Sequence, residues 1–267
     1  MRSRARQATV DIPPPPPRQR VHLRRAWQEL RALIADPDDT ERAVSLMYAI
    51  GRREFERNFQ RFAASSNGRA LLEQRPSLIA ALSDREALAR MPDATLGRAY
   101  LDYLERNGFA PDGLLAVQLR VQACWEREED LAKLDPLRTW YRDRTILLHD
   151  LLHVLTDYGT DEVGEGTLLA FSLAQFPGRG QAFLTVGAAF ELWRSLGWRW
   201  LAYDLRAWRR GRRATSLVAL PWEELLPLPL AAVRRIAGVA QTSEIHETGI
   251  LRGSRGNVRT DWRGSAA

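Results

Sequence analysis

The sequence predicts an all-α protein: a single globular multi-helix domain preceded by a disordered Pro/Arg-rich N-terminal arm. Three observations predict it. Apolar residues recur at intervals of three and four from Val21 onward, Ser, Thr and Asp stand just ahead of those periodic runs as N-caps, and alternating strand-like stretches are absent. With 267 residues, 45% hydrophobic and 27% charged, the chain can bury one core and shelter a ligand beside it.

The arm comes first. Residues 1–20 hold Arg2, Arg4, Arg6, Arg18 and Arg20 around the run Pro13 to Pro17, which can neither form a helix nor bury apolar area. The arm is arginine-rich and acid-poor like a mitochondrial presequence, but its prolines break the amphipathic helix that such a signal requires. The helical domain is expected over residues 21–237. Within it the periodicity predicts helices over 22–35, 40–63 (opened by Asp38, Asp39 and Thr40), 84–90, 95–107 (opened by Thr95), 137–157, and a long run over 179–208. Residues 238–267, with Gly249, Gly253, Gly256 and Gly264 among polar neighbours, are expected to be a loosely ordered tail.

Composition narrows the chemistry. Cys124 is the single cysteine, which excludes disulfides and cysteine-rich zinc sites and fits a reducing compartment. No stretch of eighteen uncharged apolar residues occurs and the N-terminus has no apolar h-region, so neither a membrane span nor a secretory signal is expected. The formal charge of +6 is carried almost entirely by arginine. Such a balance points to an anionic membrane, nucleic acid or an acidic partner, or simply to a GC-rich genome.

One segment carries chemistry. Trp140 to Gly166 reads WYRDRTILLHDLLHVLTDYGTDEVGEG, and in it His149 and His153 lie four residues apart on a predicted helix. That spacing puts them ~40° apart on one face, within reach of a common ion. The pattern is that of an HExxH zinc helix with Asp150 in place of the glutamate. Asp is one methylene shorter, which disfavours a general base and favours a carboxylate that ligates the ion or orients a ligand. Arg142, Thr145, His149, His153, Thr156 and Asp157 form a narrow polar stripe, and leucines and Val154 cover the rest. A helix apolar over most of its circumference is buried, and buried histidines and carboxylates must be paired, protonated or metal-bound. Gly159 stops the helix, and Gly164 and Glu165 follow where the chain can turn back, which makes Glu165 a candidate third or fourth ligand. Paired helix histidines are often ordinary hydrogen-bonded residues; the adjacent carboxylate and the returning Gly-Glu favour a divalent metal. An N,O ligand set suits zinc or ferrous iron.

HDxxH followed by eleven residues and a Glu, here His149, Asp150, His153 and Glu165, is accompanied by further stretches in order. These are Asn67-Gly68-Arg69 with Arg75-Pro76, Met91-Pro92 leading to Thr95-Leu96-Gly97 and Tyr100, Tyr141-Arg142, and Trp222-Glu223. On these the chain resembles the coenzyme Q (ubiquinone) biosynthesis protein four family over residues 26–237. The resemblance implies an all-helical, membrane-associated protein that binds a divalent metal at those four residues, together with a polyprenylated quinone precursor. It implies oxidative decarboxylation, in which the ring C1 carboxyl is replaced by a hydroxyl, and an organising role toward other ubiquinone-biosynthesis enzymes, with a homodimer as the expected assembly. The expected place is the cytoplasmic face of a bacterial inner membrane, or else the matrix side of the mitochondrial one. Phe171, Ser172 and Gln175 depart from the charged residues of close relatives.

The remaining sequence is consistent with that role. A polyprenyl tail needs an apolar tunnel, and Phe183, Leu184, Val186, Ala188, Ala189 and Phe190 are candidates for it or for ordinary core. Trp193, Trp198, Trp200 and Trp208, interleaved with Arg194, Arg199, Arg206, Arg209, Arg210, Arg212 and Arg213, read as an element that seeks an anionic membrane interface. Nucleic-acid binding is the rival for this cluster, but no helix-turn-helix or RNA-binding signature accompanies it and no nucleic-acid partner is expected. Arg142 is a candidate to pair with the substrate carboxylate or with Asp150. Rival functions are a non-catalytic lipid-binding scaffold and, on HxxxH alone, a metal-dependent hydrolase.

Overall fold

A computed structural model describes residues 10–17, 20–36, 39–50, 52–129 and 132–239. Most of the expected arm and nearly all of the expected tail lie outside the described residues, among which there are fourteen α-helices, one 3-10 turn and no strand. In chain order the helices are α1 (Leu23–Ala35), α2 (Thr40–Ile50), α3 (Arg52–Ala64), α4 (Ser66–Gln74), α5 (Leu78–Ser83), α6 (Arg85–Arg90) and α7 (Leu96–Asn107). There follow α8 (Gly113–Glu128), α9 (Pro136–Thr156), α10 (Glu162–Gln175), α11 (Arg179–Leu196), α12 (Trp198–Arg213), α13 (Trp222–Leu225) and α14 (Leu230–Ala237).

Local chemistry explains the boundaries. Thr95 caps α7 by accepting the Arg98 N–H, and Asp161 caps α10 by accepting the Gly164 N–H. At the start of α9, Asp135 accepts from the amides of Leu137 and Arg138 while Pro136 takes the first helical position, where its missing N–H costs nothing. The run expected over 179–208 is two helices, because Gly197 between them adopts φ +71, a conformation that L side chains rarely take. The run expected over 40–63 is likewise two, α2 and α3.

The buried residues form two clusters. The larger gathers α3 to α7, α9, α10, α12 and the last helices; the smaller joins α1, α2 and α8 around Trp125, with Ala26, Val44, Leu46, Ala49 and Val121. Polar side chains link α2, α8 and α9 between them: Tyr48 contacts Gln118 and Gln122, and Arg142 donates to Gln122.

Helix α9 runs along the larger core and is fixed by arginines at three levels. Arg138, fully buried, donates to Glu56 at 2.7 Å and to Asp135 at 2.6 Å and lies 4.6 Å over the Phe59 ring. Arg144 forks onto both oxygens of Glu223, at 2.6 and 3.1 Å, and onto the Leu220 carbonyl at 2.6 Å. At the C-terminus Arg234 donates to the Leu155 carbonyl and pairs with Asp157, while Arg210 donates to the Thr156 carbonyl. Cations there satisfy orphan carbonyls and the helix dipole together.

Arg138 also engages the segment ahead of the helices. Its guanidinium donates to the Pro13 carbonyl at 3.2 and 3.3 Å, and Val10 and Ile12 pack against the larger core. Residues 10–17 thus meet the domain through Val10, Ile12 and the Pro13 carbonyl. At the other end Val239 is buried in the same core, two residues past the predicted edge of the domain.

Candidate metal centre

His149 and His153 are one turn apart on α9, with ring centroids 4.9 Å apart. Glu165 sits in the first turn of α10, a helix rather than the turn expected there. The return that brings it back depends on Gly164, where a Cβ would overlap the carbonyl of Gly159. Only a residue without a side chain lets the two segments approach so closely.

Glu165 faces both imidazoles: its Oε1 is 3.2 Å from His153 Nε2 and its Oε2 is 3.6 Å from His149 Nε2. One ligand atom from each of the three residues lies within 4.8 Å of the others. Bonds of ~2.1 Å to a tetrahedral ion put ligand atoms roughly 3.4 Å apart, so the spacing suits one divalent cation.

The outer contacts select the right nitrogens. His153 Nδ1 is 3.0 Å from the carbonyl oxygen of Tyr158, which only accepts, so Nδ1 carries the proton. His149 Nδ1 is 3.3 Å from Asp150 Oδ1 and donates to it in the same way. Both Nε2 atoms are thereby left to the centre, the usual arrangement around a metal-bound histidine. His153 Nε2 is buried without a hydrogen-bond partner, an orphan that an ion would satisfy. The residues present therefore fit a divalent metal.

Electrostatics agree. Burial works against the Glu165 carboxylate, but positive charge on the His153 and His149 rings that face it outweighs burial and holds its pKa well below the usual range. Burial likewise opposes charge on His149, yet the carboxylates of Asp150 and Glu165 push it up to about 10. The cluster is poised to hold positive charge, which a proton or a cation can supply. The centre opens on one side: the side chains of His149 and Glu165 are 35% and 27% exposed, while His153 is enclosed.

Of the residues predicted from sequence, His149, His153 and Glu165 come together, with Asp150 beside His149 as its acceptor and outside the group of three. Arg142 does not join them. Its guanidinium donates to Asp143 at 2.8 Å and to Gln122 of α8, so neither Asp150 nor the centre receives it. Sequence reasoning missed Tyr103 of α7, whose ring stacks on His153 at 5.6 Å and 19°. It also missed the Tyr158 carbonyl, for which no sequence signal exists. Tyr103 had one: a tyrosine three residues after Tyr100 on a helix otherwise lined by leucine.

The apolar run on α11 differs from expectation. Phe183, Val186 and Phe190 face outward rather than lining a tunnel, and of the four tryptophans Trp200 is fully buried, donating to the Ala189 carbonyl, while Trp198 is 75% exposed. Among the described residues no helix is long and apolar enough to cross a membrane.

Comparison with known proteins places this chain in a family. The profile of the family described as coenzyme Q (ubiquinone) biosynthesis protein Coq4 matches residues 25–243. The chain is 29% identical over 187 residues to the ubiquinone biosynthesis protein coq4, mitochondrial, of Pyrenophora tritici-repentis, covering 69% of this chain and 60% of that one. It is 31% identical to the Neurospora crassa protein of corresponding name, covering 67% and 48%, and 28% identical to the Rattus norvegicus homologue, covering 65% and 61%. The chain thus spans about 60% of the length of the first of these relatives. A crystal structure of a ubiquinone biosynthesis protein from Nostoc punctiforme superposes with a TM-score of 0.62 at 19% identity, covering 83% of this chain and 98% of that one, and shares the fold. The chain belongs to the coenzyme Q (ubiquinone) biosynthesis protein Coq4 family.

Proposed function

We propose that this protein is a membrane-docked metalloenzyme of ubiquinone biosynthesis that replaces the C1 carboxyl of a polyprenyl-hydroxybenzoate-type precursor by a hydroxyl. The observation that carries the reading is the convergence of both histidine Nε2 atoms on Glu165, with both Nδ1 atoms already engaged. His149, His153 and Glu165 would hold zinc or ferrous iron, with Asp150 orienting His149. When bound, the ion supplies Lewis-acid stabilisation of charge developing on ring and carboxyl oxygens.

The chain's own residues do the rest. The enclosed His153, locked by the Tyr158 carbonyl and the Tyr103 ring, keeps water from the inner side of the centre. The exposed edges of His149 and Glu165 leave an entrance for an aromatic ring. The net change inserts one oxygen atom and releases carbon dioxide, a two-electron oxidation for which dioxygen is the oxidant; its second atom leaves as water at the expense of a two-electron donor. Phe183, Val186 and Phe190 on one exposed face of α11, followed by Trp198 and flanked by Arg194 and Arg199, support docking on an anionic membrane. The cytoplasmic face of a bacterial inner membrane is the proposed place, the mitochondrial matrix face the alternative. Dimerisation and contact with other ubiquinone enzymes belong to the same proposal.

The test is complementation of a ubiquinone-deficient strain lacking its family member, with His149→Ala and Glu165→Ala variants alongside. Loss of quinone synthesis in both is expected, and full activity of both would remove the metal centre from the function. Turnover of a soluble short-chain precursor by purified protein separates an enzyme from a scaffold.

A further inference from the structure

Helix α9 ends at Thr156, just past His153, and the turn that follows fixes this ligand. Asp157 takes φ 61° and ψ 23°, the left-handed conformation that residues with a side chain rarely adopt, while its N–H still closes the last helical bond to the His153 carbonyl at 2.9 Å. Had the helix run on, the carbonyl of Tyr158 would point forward along the axis, away from His153. The left-handed residue turns the chain back instead, and that carbonyl comes to 3.0 Å from His153 Nδ1. Glycine makes such turns without strain; here an aspartate does, so its neighbours must hold it. From α14, the buried Arg234 pairs with Asp157 Oδ2 at 2.6 Å and donates to the carbonyls of Leu155 at 2.9 Å and Val154 at 3.2 Å. From α12, Arg210 donates to the Thr156 carbonyl at 2.9 Å and lies 5.3 Å over the Tyr158 ring.

We propose that Asp157 and Arg234 are positioning residues of the metal centre: their ion pair holds the left-handed turn that lays the Tyr158 carbonyl on His153 Nδ1, and so keeps Nε2 for the ion. The inference rests on the reading of His149, His153 and Glu165 as metal ligands. Both residues act through the backbone. The pair fixes the φ and ψ of Asp157, these aim the next carbonyl, and that carbonyl accepts the hydrogen bond from Nδ1–H. If the turn relaxes, Nδ1 loses its acceptor and nothing on that side sets the tautomer, so Nε2 is no longer held ready opposite Glu165. A helix near the end of the domain thereby governs a ligand on α9 that it does not itself supply.

The experiment uses the full chain with Co²⁺ as the probe, reading stoichiometry by elemental analysis, affinity by chelator competition, the melting temperature of the metal-free protein, and crystal structures of the metal-free variants. Asp157→Ala loses the pair yet still needs the strained φ, and should weaken Co²⁺ binding about tenfold at unchanged stoichiometry. Asp157→Gly loses the same pair but adopts the turn freely, so its affinity should stay within about twofold of the parent. A pair that serves stability alone would lower the melting temperature of both variants and leave their Co²⁺ affinity unchanged. Arg234→Gln should cost about tenfold in the parent and no more than about twofold beside Asp157→Gly, where the turn no longer needs the pair. The contact between the Tyr158 carbonyl and His153 Nδ1 should be lost in crystals of Asp157→Ala and kept in those of Asp157→Gly, a readout that requires no ion. Unchanged affinity in Asp157→Ala, equal losses in Asp157→Ala and Asp157→Gly, or an Arg234→Gln loss that is the same in both backgrounds would each overturn the proposal. A parent protein that binds no Co²⁺ overturns the centre itself, whereas a Tyr158 contact that survives in Asp157→Ala overturns the role of the pair.

Discussion

His153 Nδ1 lies 3.0 Å from the carbonyl oxygen of Tyr158, and this contact decides which nitrogen meets Glu165. A carbonyl cannot donate, so the proton sits on Nδ1 and Nε2 turns toward the carboxylate 3.2 Å away. Two acceptors facing each other repel unless a proton or a cation lies between them. The backbone just past the end of α9 thus builds the demand for positive charge into the fold, and the sequence distance between ligands is closed by the Gly159–Gly164 approach.

Glu165→Gln should therefore abolish stoichiometric metal binding while keeping the shape of the site. An ion that binds the folded state adds about 4 kcal/mol of stability at a thousandfold excess over Kd. The parent protein should melt higher with zinc and fall back with chelator, whereas the variant should respond to neither. Equal zinc-induced shifts in differential scanning calorimetry would show that Glu165 is not a ligand.

Asp150→Asn is expected to behave differently from a ligand change. As the acceptor of His149 Nδ1–H, Asp150 sits one bond away from the ion in this geometry. Removing its charge should leave one metal per chain and weaken binding between about tenfold and a hundredfold. Complete loss of metal at saturating concentration would make Asp150 a direct ligand instead.

The sequence made the helical fold and the shared face of His149 and His153 legible because both rest on local periodicity. Four-residue spacing places His149 and His153 together whatever surrounds them. Arg142 shows the limit of the same rule. It shares the angular stripe, but seven residues of helix put it about 10 Å further along the axis, at the level where α8 presents Gln122. Residues 10–17 were illegible for another reason. Their order depends on Arg138, 125 residues away from the carbonyl it holds, and a proline run gives no local hint of such a partner. Glu165 does face both histidines, but from a helix: Gly164 looked like a turn residue and is instead a contact surface inside that helix.

Asp204 on α12 gives a separate pH signature. Burial alone pushes its pKa up to about 7, and one of its oxygens has no hydrogen-bond partner. A carboxyl whose folded pKa exceeds its unfolded value binds its proton more tightly in the native state. Its contribution is full below about pH 4 and is lost as pH rises toward 7, at roughly 1.4 kcal/mol per unit in the limit. Asp204→Asn should thus raise stability at pH 8 and gain little at pH 4, read from urea midpoints across that range. A gain independent of pH would mean that the carboxyl is not the cause.

Arg144→Met tests the clamp on α9. The arginine is buried and its fork holds Glu223 and the Leu220 carbonyl, so its removal strands a largely enclosed carboxylate. The expected loss is roughly 3–5 kcal/mol, and Arg144→Met combined with Glu223→Leu should recover much of it. Equilibrium unfolding of the single and double variants checks both halves, and a double variant no better than the single would remove the ion pair from the account.

The exposed face of α11 makes a separable claim about the membrane. Phe183, Val186 and Phe190 recur at three and four residues and point outward, and Arg194 follows on the exposed surface. Sinking Phe190 into the acyl boundary is worth about 2 kcal/mol, so Phe190→Ser should weaken vesicle binding by more than tenfold whatever the lipid charge. Arg194→Glu acts through the surface potential, near 1 kcal/mol per basic residue at low salt. Its loss should be confined to anionic vesicles and vanish as ionic strength rises. Co-sedimentation with neutral and anionic liposomes at two salt concentrations separates the two effects. Unaltered binding in both variants would turn this stripe into a surface for another protein rather than for lipid.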